Sequence, residues 1–361
     1  MNRLEAPALR GNTALGFLAA VGVVALSEQE CIKPVRLAWE GRNVPLAVFV
    51  SEEYATVEEL AGDLRKVAEE LAGGSKAIPG TPQDFPYEKR RNEDTATGVD
   101  PMRMSRAAAT ATYQDAARDW AQGDRWFGRW LVALLAQHAL DSKQAEATKG
   151  NRSGGGAERQ EPAQGAVRLT PFNVGFGQMK FRKSFFDETL KELLKIPNAP
   201  LDAFRGWQRV EQFTGGKLEH GALRGATVAT DGKPRNVASP SPTWLAVMGF
   251  RMFPLADDGT DVRAAGWQRV LVDPAATRRS LVWPIWRDAL TPAAIRVLID
   301  HPALRLEERQ GRLVLPGAHS LAGLGLTAVF GASRRTESQG DGPIGPARLL
   351  WPAAGRSSGR G

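Results

Sequence analysis

The sequence predicts an α+β fold: two lobes with helices and short antiparallel strands, separated by a flexible insertion. Apolar patterns typical of helices and of strands are mixed, without the regular alternation that a parallel sheet requires. Residues 142–166 contain no large apolar side chain and cannot bury enough surface to stay ordered. The predicted organisation is an N-terminal domain over 1–141, a flexible linker over 142–166, a C-terminal domain over 167–340 and a disordered tail over 341–361.

The N-terminal half contains the clearest helix signals. Asn12 or Thr13 can cap a first helix, because either side-chain oxygen can accept an unpaired backbone N–H. Thr56 caps a second helix, and Glu59 completes a capping box. The predicted elements are, in chain order, a helix over 12–27, a hairpin of strands 34–40 and 44–50, a helix over 56–74, an irregular loop over 73–106 and a helix over 125–141.

The C-terminal half mixes short strands with two clear helices. One helix ends before Pro197, and another begins with Pro292 in its first turn, where a missing N–H costs nothing. The predicted elements are an extended segment over 167–175, a helix over 184–196, a turn-rich region over 205–272, a helix over 291–301 and a hairpin over 303–317.

The apolar block "ALRGNTALGFLAAVGVVAL" (8–26) has three interpretations: a secretion signal, a phosphate-binding turn or a buried helix. A secretion signal is disfavoured because Glu5 and Pro7 precede the block and no clean cleavage site follows it. A phosphate loop is disfavoured because Phe17 stands where the phosphate-binding lysine is needed. We therefore predict a buried helix whose small residues permit close packing.

The composition limits the environment and the partners of the protein. The formal net charge of +7 permits an anionic partner such as nucleic acid, but does not require one. The single cysteine, Cys31, rules out a disulfide within the chain and favours a reducing compartment. No apolar run reaches the ~18 residues of a membrane span, so we predict a cytoplasmic protein with no membrane contact.

Metal and catalytic motifs are not recognisable. None of the four histidines has a partner at metal-ligand spacing, and no nucleophile–histidine pairing is evident. The stretch "ADDGTD" (256–261) faintly resembles a calcium loop but lacks the glutamate at the twelfth position, so a turn between strands is favoured. The sequence therefore predicts a protein that is not an enzyme and has no metal or cofactor.

The segment "TPFNVGFGQMKFRKSFF" (170–186) is the best candidate contact with nucleic acid. Lys180, Arg182 and Lys183 alternate with phenylalanines, among them Phe181. Aromatic rings can stack on bases, and cations can neutralise phosphates. In the alternative interpretation the phenylalanines belong to the core and the three cations form a solvated edge.

Trp283 and Trp286 flank Pro284 in "SLVWPIWRDAL", before the helix predicted over 291–301. Tryptophans at this density usually anchor a core or an interface. Core packing is the default interpretation, and an interface with a partner subunit is the alternative.

Three stretches of the chain resemble a family of CRISPR-associated proteins from type I-U (also called I-G) loci. They are "LRGNTALGFLAAVGVV" near the start, "PTWLAVMGFRMFPL" (242–255) and "LVWPIWRDALTPAAIRVLI" (281–299). Members of that family begin with an L-x-G-x-x-P/A-L-G-F-L-A-A-x-G helix, carry a W-L-A-x-x-G-x-x-x-F-P segment and contain W-P-x-W before a helix. The three stretches are short and are distributed along most of the chain.

This resemblance implies a large-subunit-like component of a Cascade-type, RNA-guided surveillance complex in antiviral defence. Its partners would be other CRISPR effector subunits, crRNA and target DNA, and a helicase-nuclease. In such complexes the guide reads sequence, while the protein reads shape and a short duplex motif. Two alternatives remain open: a metal-dependent nuclease with carboxylates such as Asp257, Asp258 and Asp261, or a scaffold that contacts only protein.

Overall fold

The computed structural model shows the mixed α+β fold that the sequence predicts, with helices and antiparallel strand pairs. It describes residues 1–41, 43–73, 106–122, 126–140, 167–172, 182–220, 236–257, 262–273, 276–309, 312–337 and 340–352. Residues 74–105 of the predicted loop and the whole predicted linker lie outside this set. Among the described residues, no helix has the length and apolar character needed to cross a membrane.

The elements of the described residues alternate irregularly along the chain. The helices are α1 (Ala14–Glu28), α2 (Val57–Ala72), α3 (Arg106–Ala121), α4 (Trp126–Leu134), α5 (Glu188–Leu194), α6 (Leu201–Arg205), α7 (Pro240–Gly249), α8 (Pro292–Ile299) and α9 (Ala318–Leu321). The strands are β1 (Asn2–Arg10), β2 (Arg36–Glu40), β3 (Leu46–Ser51), β4 (Leu135–Leu140), β5 (Val167–Leu169), β6 (Val210–Glu211), β7 (Val237–Ala238), β8 (Leu255–Asp257), β9 (Val262–Ala264), β10 (Trp267–Asp273), β11 (Ala276–Trp286), β12 (Glu307–Arg309), β13 (Arg312–Val314), β14 (Leu326–Glu337), β15 (Gly340–Ile344) and β16 (Arg348–Trp351).

The helix caps expected in the N-terminal half are confirmed. The Thr13 hydroxyl accepts the backbone N–H of Gly16 at 3.1 Å at the start of α1. The Thr56 hydroxyl accepts the N–H of Glu59 at 3.3 Å at the start of α2. The Glu59 carboxylate accepts the N–H of Ala55 at 2.8 Å, one residue before the cap itself. The two threonines satisfy helix N–H groups that have no partner within the helix.

The first five elements form a split βαβ unit. The predicted hairpin is confirmed, since β2 and β3 are antiparallel. The sequence did not reveal β1, which pairs with β3 on the other side and gives the order β1-β3-β2. Pro7 obscures the alternation of β1, but it lies where the pairing register shifts on an edge strand, and there its missing N–H is tolerated. This is the connectivity of a ferredoxin-like β-α-β-β-α segment.

The helix predicted from the opening apolar block is confirmed as α1, and it is buried on all sides. It packs against α7, and glycines allow the two backbones to approach closely. A Cβ atom added at Gly22 would lie 1.7 Å from the carbonyl oxygen of Leu245. One added at Gly249 would lie 2.7 Å from the carbonyl oxygen of Leu18. This crossing therefore requires glycine on both helices.

The larger sheet contains β10, β11 and β14 side by side, with β15 and β16 pairing with different parts of β14. The sequence assigned no strand to the Trp-Pro-Trp segment, which lies in β11. Pro284 is tolerated there because the pairing of β11 with β10 ends at Leu281, so the proline faces only β14.

One hydrophobic core includes residues from Leu4 to Ile344 and joins the two predicted domains. Helix α1, from the predicted domain 1–141, and helix α7, from the predicted domain 167–340, both lie in this core. Within the predicted tail over 341–361, Ile344 is buried and β16 pairs with β14. Residues 353–361 lie outside the described part of the chain.

The helix predicted over 125–141 is correct only in its first half. Helix α4 ends at Leu134, and the chain continues as β4, which is antiparallel to β5. The carbonyl of Leu134 accepts the N–H of Thr170 at 3.0 Å, and that of Leu135 accepts the Tyr113 hydroxyl at 2.7 Å. A continuous apolar run does not distinguish a helix from a buried strand. Here the hydrogen bonds to Thr170 and Tyr113, which are distant in the chain, favour a strand after Leu134.

The region predicted to be turn-rich over 205–272 contains the buried helix α7 (Pro240–Gly249), which the sequence prediction missed. The other elements of the C-terminal half largely follow the prediction. The helix predicted over 184–196 begins as a π-helical turn (Arg182–Asp187) and continues as α5. Helix α8 is confirmed with Thr291 as its cap, and the hairpin predicted over 303–317 is confirmed as β12 and β13.

Candidate functional site

The segment predicted to contact nucleic acid is only partly described by the structure. Lys180 and Phe181 lie outside it, and Arg182 and Lys183 begin the π-helical turn. Phe185 and Phe186, in the same turn, are buried in the core, as the alternative interpretation expected of the phenylalanines. These two rings therefore anchor the π-helical turn to the core.

The two tryptophans of the Trp-Pro-Trp segment lie inside the chain. Trp283 and Trp286 are 0% and 1% exposed. The indole N–H of Trp283 donates to the carbonyl of Gly11 and that of Trp286 to the carbonyl of Leu37, both at 2.7 Å. They join β11 to the N-terminal unit, and this burial leaves neither ring a surface for a partner subunit.

Glu28, the last residue of α1, lies at the centre of an ionic network. Arg296 on α8 donates from both Nη atoms to the two carboxylate oxygens of Glu28, one at 2.6 Å. Arg129 on α4 places Nη1 2.7 Å from Oε1 of the same carboxylate. The side chains of Glu28, Arg129 and Arg296 are 16%, 27% and 24% exposed, so the network opens narrowly to solvent.

Arg251 adds a third guanidinium group to this network. It lies in the 3₁₀ turn after α7, is 3% exposed and stacks over the Trp130 ring with its Cζ 5.6 Å from the ring centre. Burial lowers the pKa of Arg251 to about 10, the positive charges of Arg129 and Arg296 act in the same direction, and Glu28 and Cys31 oppose them. We term Glu28, Arg129, Arg251 and Arg296 the arginine cluster.

Glu28 remains ionised within the arginine cluster. Burial by itself would raise the pKa of Glu28, but hydrogen bonds from Arg296 and Arg129, and their charges, bring it below the ordinary value of 4.5. The carboxylate therefore neutralises part of the positive charge at neutral pH.

The pH dependence of stability provides a test of this ionic network. The pKa of the Glu28 carboxyl is lower in the folded protein than the 4.5 expected in the unfolded chain. The ionised carboxylate therefore stabilises the folded protein fully above pH 4.5, and this stabilisation is lost as the pH falls through the folded-state pKa. We expect Glu28→Gln to lower the free energy of unfolding by about 1–3 kcal/mol at pH 7. Urea denaturation between pH 3.5 and 7 in chloride buffers should show this difference shrinking at low pH.

The matched control is Glu40→Gln, at an exposed ion pair with Arg3, where we expect less than about 1 kcal/mol. A difference between wild type and Glu28→Gln that does not change with pH would contradict the ionic role of Glu28.

Cys31 lies close to the cluster and is half-buried. Burial raises the pKa of the Cys31 thiol to about 11, the charge of Glu70 acts in the same direction, and that of Arg251 opposes them. The thiol is therefore protonated at neutral pH, which makes it a poor nucleophile.

The carboxylates of "ADDGTD" are only partly described. Asp257 ends β8, which pairs with β9 as expected for a turn between strands, while Asp258 and Asp261 lie outside the described residues. In the part of the chain that the structure describes, no three His, Cys, Asp or Glu side chains come together as metal ligands.

The arginine cluster is not evident from the sequence, because its members are distant in the chain. A signal was present, since each member interrupts or ends an apolar run. Arg251 is the only charged residue between 242 and 255, Arg296 is the only one between 291 and 299, and Glu28 is the first charged residue after Arg10. A lone charge in an apolar segment is costly to bury without a partner, so such residues are expected to meet others.

No protein-family model and no curated protein matches this chain. Its function is therefore inferred from the residues themselves and from their geometry.

Proposed function

We propose that the chain is a non-catalytic, nucleic-acid-binding subunit of a type I-U or I-G CRISPR surveillance complex. The observation that carries this proposal is that the three stretches resembling that family meet in space. The first contains most of α1, the second contains most of α7 together with Arg251, and the third contains the last part of β11 and all of α8, with Arg296. Short stretches that pack into one core form a more specific pattern than the same stretches along a sequence.

The charge of the chain supports an anionic partner. Its net charge is +7, and the turn that begins with Arg182 and Lys183 lies beside the arginine cluster. Trp130 links the two, since its ring contacts Phe186 of that turn at 5.8 Å between centres and also lies beneath Arg251. The adjacent cations of the segment at 180–183 suit contact with a phosphate backbone.

In this role the chain binds crRNA or target DNA through backbone contacts and packs against other effector subunits. The helicase-nuclease of the system would perform cleavage, so this chain needs no catalytic group, metal or cofactor. Guide pairing would supply sequence specificity, and the chain would contribute binding energy and target recognition.

Charge reversal in the basic segment tests nucleic-acid binding. We expect the triple variant Lys180→Glu, Arg182→Glu, Lys183→Glu to bind a single-stranded oligonucleotide at least about tenfold more weakly, for every sequence tried. The slope of log K against log salt should fall by roughly two to three, because fewer counterions are released. Fluorescence anisotropy at several salt concentrations measures both quantities.

The matched control reverses three exposed cations elsewhere, Lys191, Arg305 and Arg348. It changes the net charge equally, so a similar loss of affinity in the control would show that total charge, and not this segment, governs binding. Unchanged binding by the 180–183 variant would contradict the assignment of this segment.

A further inference from the structure

The start of helix α7 adjoins a group of buried polar side chains that lack hydrogen-bond partners. The hydroxyl groups of Ser239 and Ser241 are 0% exposed, and neither has a partner in good hydrogen-bond geometry among the described residues. The same holds for both carboxylate oxygens of Asp202 on α6, which are buried although the residue as a whole is partly exposed. Buried polar groups in native proteins nearly always have partners, so this group requires an explanation.

In the part of the chain that the structure describes, no positively charged side chain hydrogen-bonds with Asp202. Helix α6 packs against β1, α2 and α7, and α7 contains no charged residue. The charged side chains of β1, α2, α6 and the loop after it either form ion pairs with each other or with Glu40, or are exposed. The pairs are Arg205 with Glu58, Arg65 with Glu69, Lys66 with Asp63, Arg209 with Glu219 and Arg3 with Glu40, and the exposed residues are Glu5, Arg10, Glu59 and Glu70.

Burial opposes the ionisation of Asp202. Loss of hydration raises the pKa of its carboxyl group above the ordinary value of 3.8. The Ser241 hydroxyl and the backbone N–H groups of Gln208 and Ala203 act in the opposite direction, but their effect is smaller. An ionised Asp202 places an unpaired charge at the contact between α6 and α7, which is costly unless water enters. The folded protein therefore favours the neutral carboxyl group more strongly than the unfolded chain does.

Helix α6 is attached to the rest of the fold on two different sides. Phe204 is 0% exposed and contacts Phe49 of β3, with the ring centres 5.8 Å apart. Asp202 precedes Phe204 by two residues, which is about 200° around a helix, and its carboxyl group lies close to the Ser241 hydroxyl of α7. A change at Asp202 therefore acts on the contact with α7 and leaves the packing of Phe204 on the sheet in place.

We propose that Asp202 is a proton-controlled latch between α6 and the start of α7. While the carboxyl group is neutral, the latch is closed and α6 packs firmly against α7. Ionisation at higher pH opens the latch, because water enters beside Ser239 and Ser241 to hydrate the carboxylate. This inference does not depend on the proposed function, since it uses only the burial and charge of the described residues.

Thermal denaturation of the full chain between pH 4.5 and 8 tests the latch with Asp202→Asn, which keeps the shape of the side chain without its charge. The stabilisation that a neutral Asp202 provides is complete below pH 3.8 and is lost as the pH rises through the folded-state pKa. We therefore expect Asp202→Asn to raise Tm by roughly 2 °C or more at pH 8, and this gain to shrink as the pH falls.

The matched control is Asp115→Asn, at an exposed ion pair with Arg118 on α3, which should change Tm by less than about 1 °C at every pH. An unchanged or lower Tm of Asp202→Asn at pH 8, or a gain of equal size at every pH, would overturn the proposal. Failure of Asp202→Asn to fold would also overturn it, because the proposal requires this variant to be the more stable protein.

Replacing Ser241 by alanine tests the placement of the latch. The Ser241 hydroxyl favours the ionised carboxylate, so its removal should raise the folded-state pKa of Asp202 further. The pH at which half of the Asp202→Asn gain is present should therefore lie higher in the Ser241→Ala background than in the wild type. An unchanged or lower midpoint would contradict the contact between Asp202 and Ser241.

Hydrogen exchange locates the change within the chain. In the wild type, the backbone amides of residues 201–209 should lose protection between pH 5 and pH 8, after correction for the intrinsic pH dependence of exchange. In Asp202→Asn the protection of these amides should stay constant over the same range. Equal behaviour of the wild type and the variant in this segment would contradict the latch.

Discussion

Replacing Gly22 by alanine is expected to destabilise the protein by more than about 3 kcal/mol, because the added methyl group would displace the backbone of a neighbouring helix. The new Cβ would lie 1.7 Å from the carbonyl oxygen of Leu245, and backbone at this buried crossing cannot move aside as a flexible side chain can. Far-ultraviolet circular dichroism during urea denaturation measures the effect.

The matched control is Gly62→Ala in α2, where an added Cβ meets nothing within 4 Å. There the replacement should stabilise the protein by about 0.5–1 kcal/mol, because alanine favours a helix over glycine. Equal stability of Gly22→Ala and the wild type would show that α1 and α7 do not cross as closely as described.

Replacing Arg334 by methionine is expected to destabilise the protein by about 3 kcal/mol, because it leaves buried carbonyl groups without their donor. Arg334 is 2% exposed and donates to the carbonyls of Pro171, Phe172 and Gly342 at 2.8–3.0 Å. Its guanidinium also lies 5.3 Å from the ring centre of Trp267. Thermal and urea denaturation measure the loss.

Arg334 anchors the chain shortly before the basic segment at 180–183, so Arg334→Met should also weaken oligonucleotide binding. The matched control is Arg335→Met, the next residue along β14, which is half-buried and should change stability by less than about 1 kcal/mol. A loss in Arg335→Met equal to that in Arg334→Met would contradict the anchoring role.

The parts of the fold that sequence predicts are those that local signals specify. Thr13 and Thr56 cap helices with their own side chains, and alternation in β12 and β13 marks a hairpin. The order of the N-terminal sheet and the close crossing at Gly22 depend on contacts between distant residues, so no local pattern specifies them. Leu135 illustrates the limit, because it continues an apolar helical run and yet pairs with Leu169 in a sheet.

The sequence likewise predicts one part of the candidate site and not the other. The basic segment at 180–183 is visible in the sequence because its cations are adjacent. The arginine cluster is not, because Glu28 and Arg296 are separated by 268 positions and meet only when α1 and α8 pack together. Trp283 and Trp286 are conspicuous in the sequence because they lie close together. Their burial, however, is known only from the fold.

Co-purification tests the central claim, that this chain is a nucleic-acid-binding subunit of a CRISPR surveillance complex, most directly. The chain would be expressed with the products of its neighbouring genes, isolated through a tag on this chain alone, and extracted for bound RNA. We predict a stable complex with other effector subunits that contains a short RNA of uniform length. Isolation of this chain as a monomer free of nucleic acid would contradict the account.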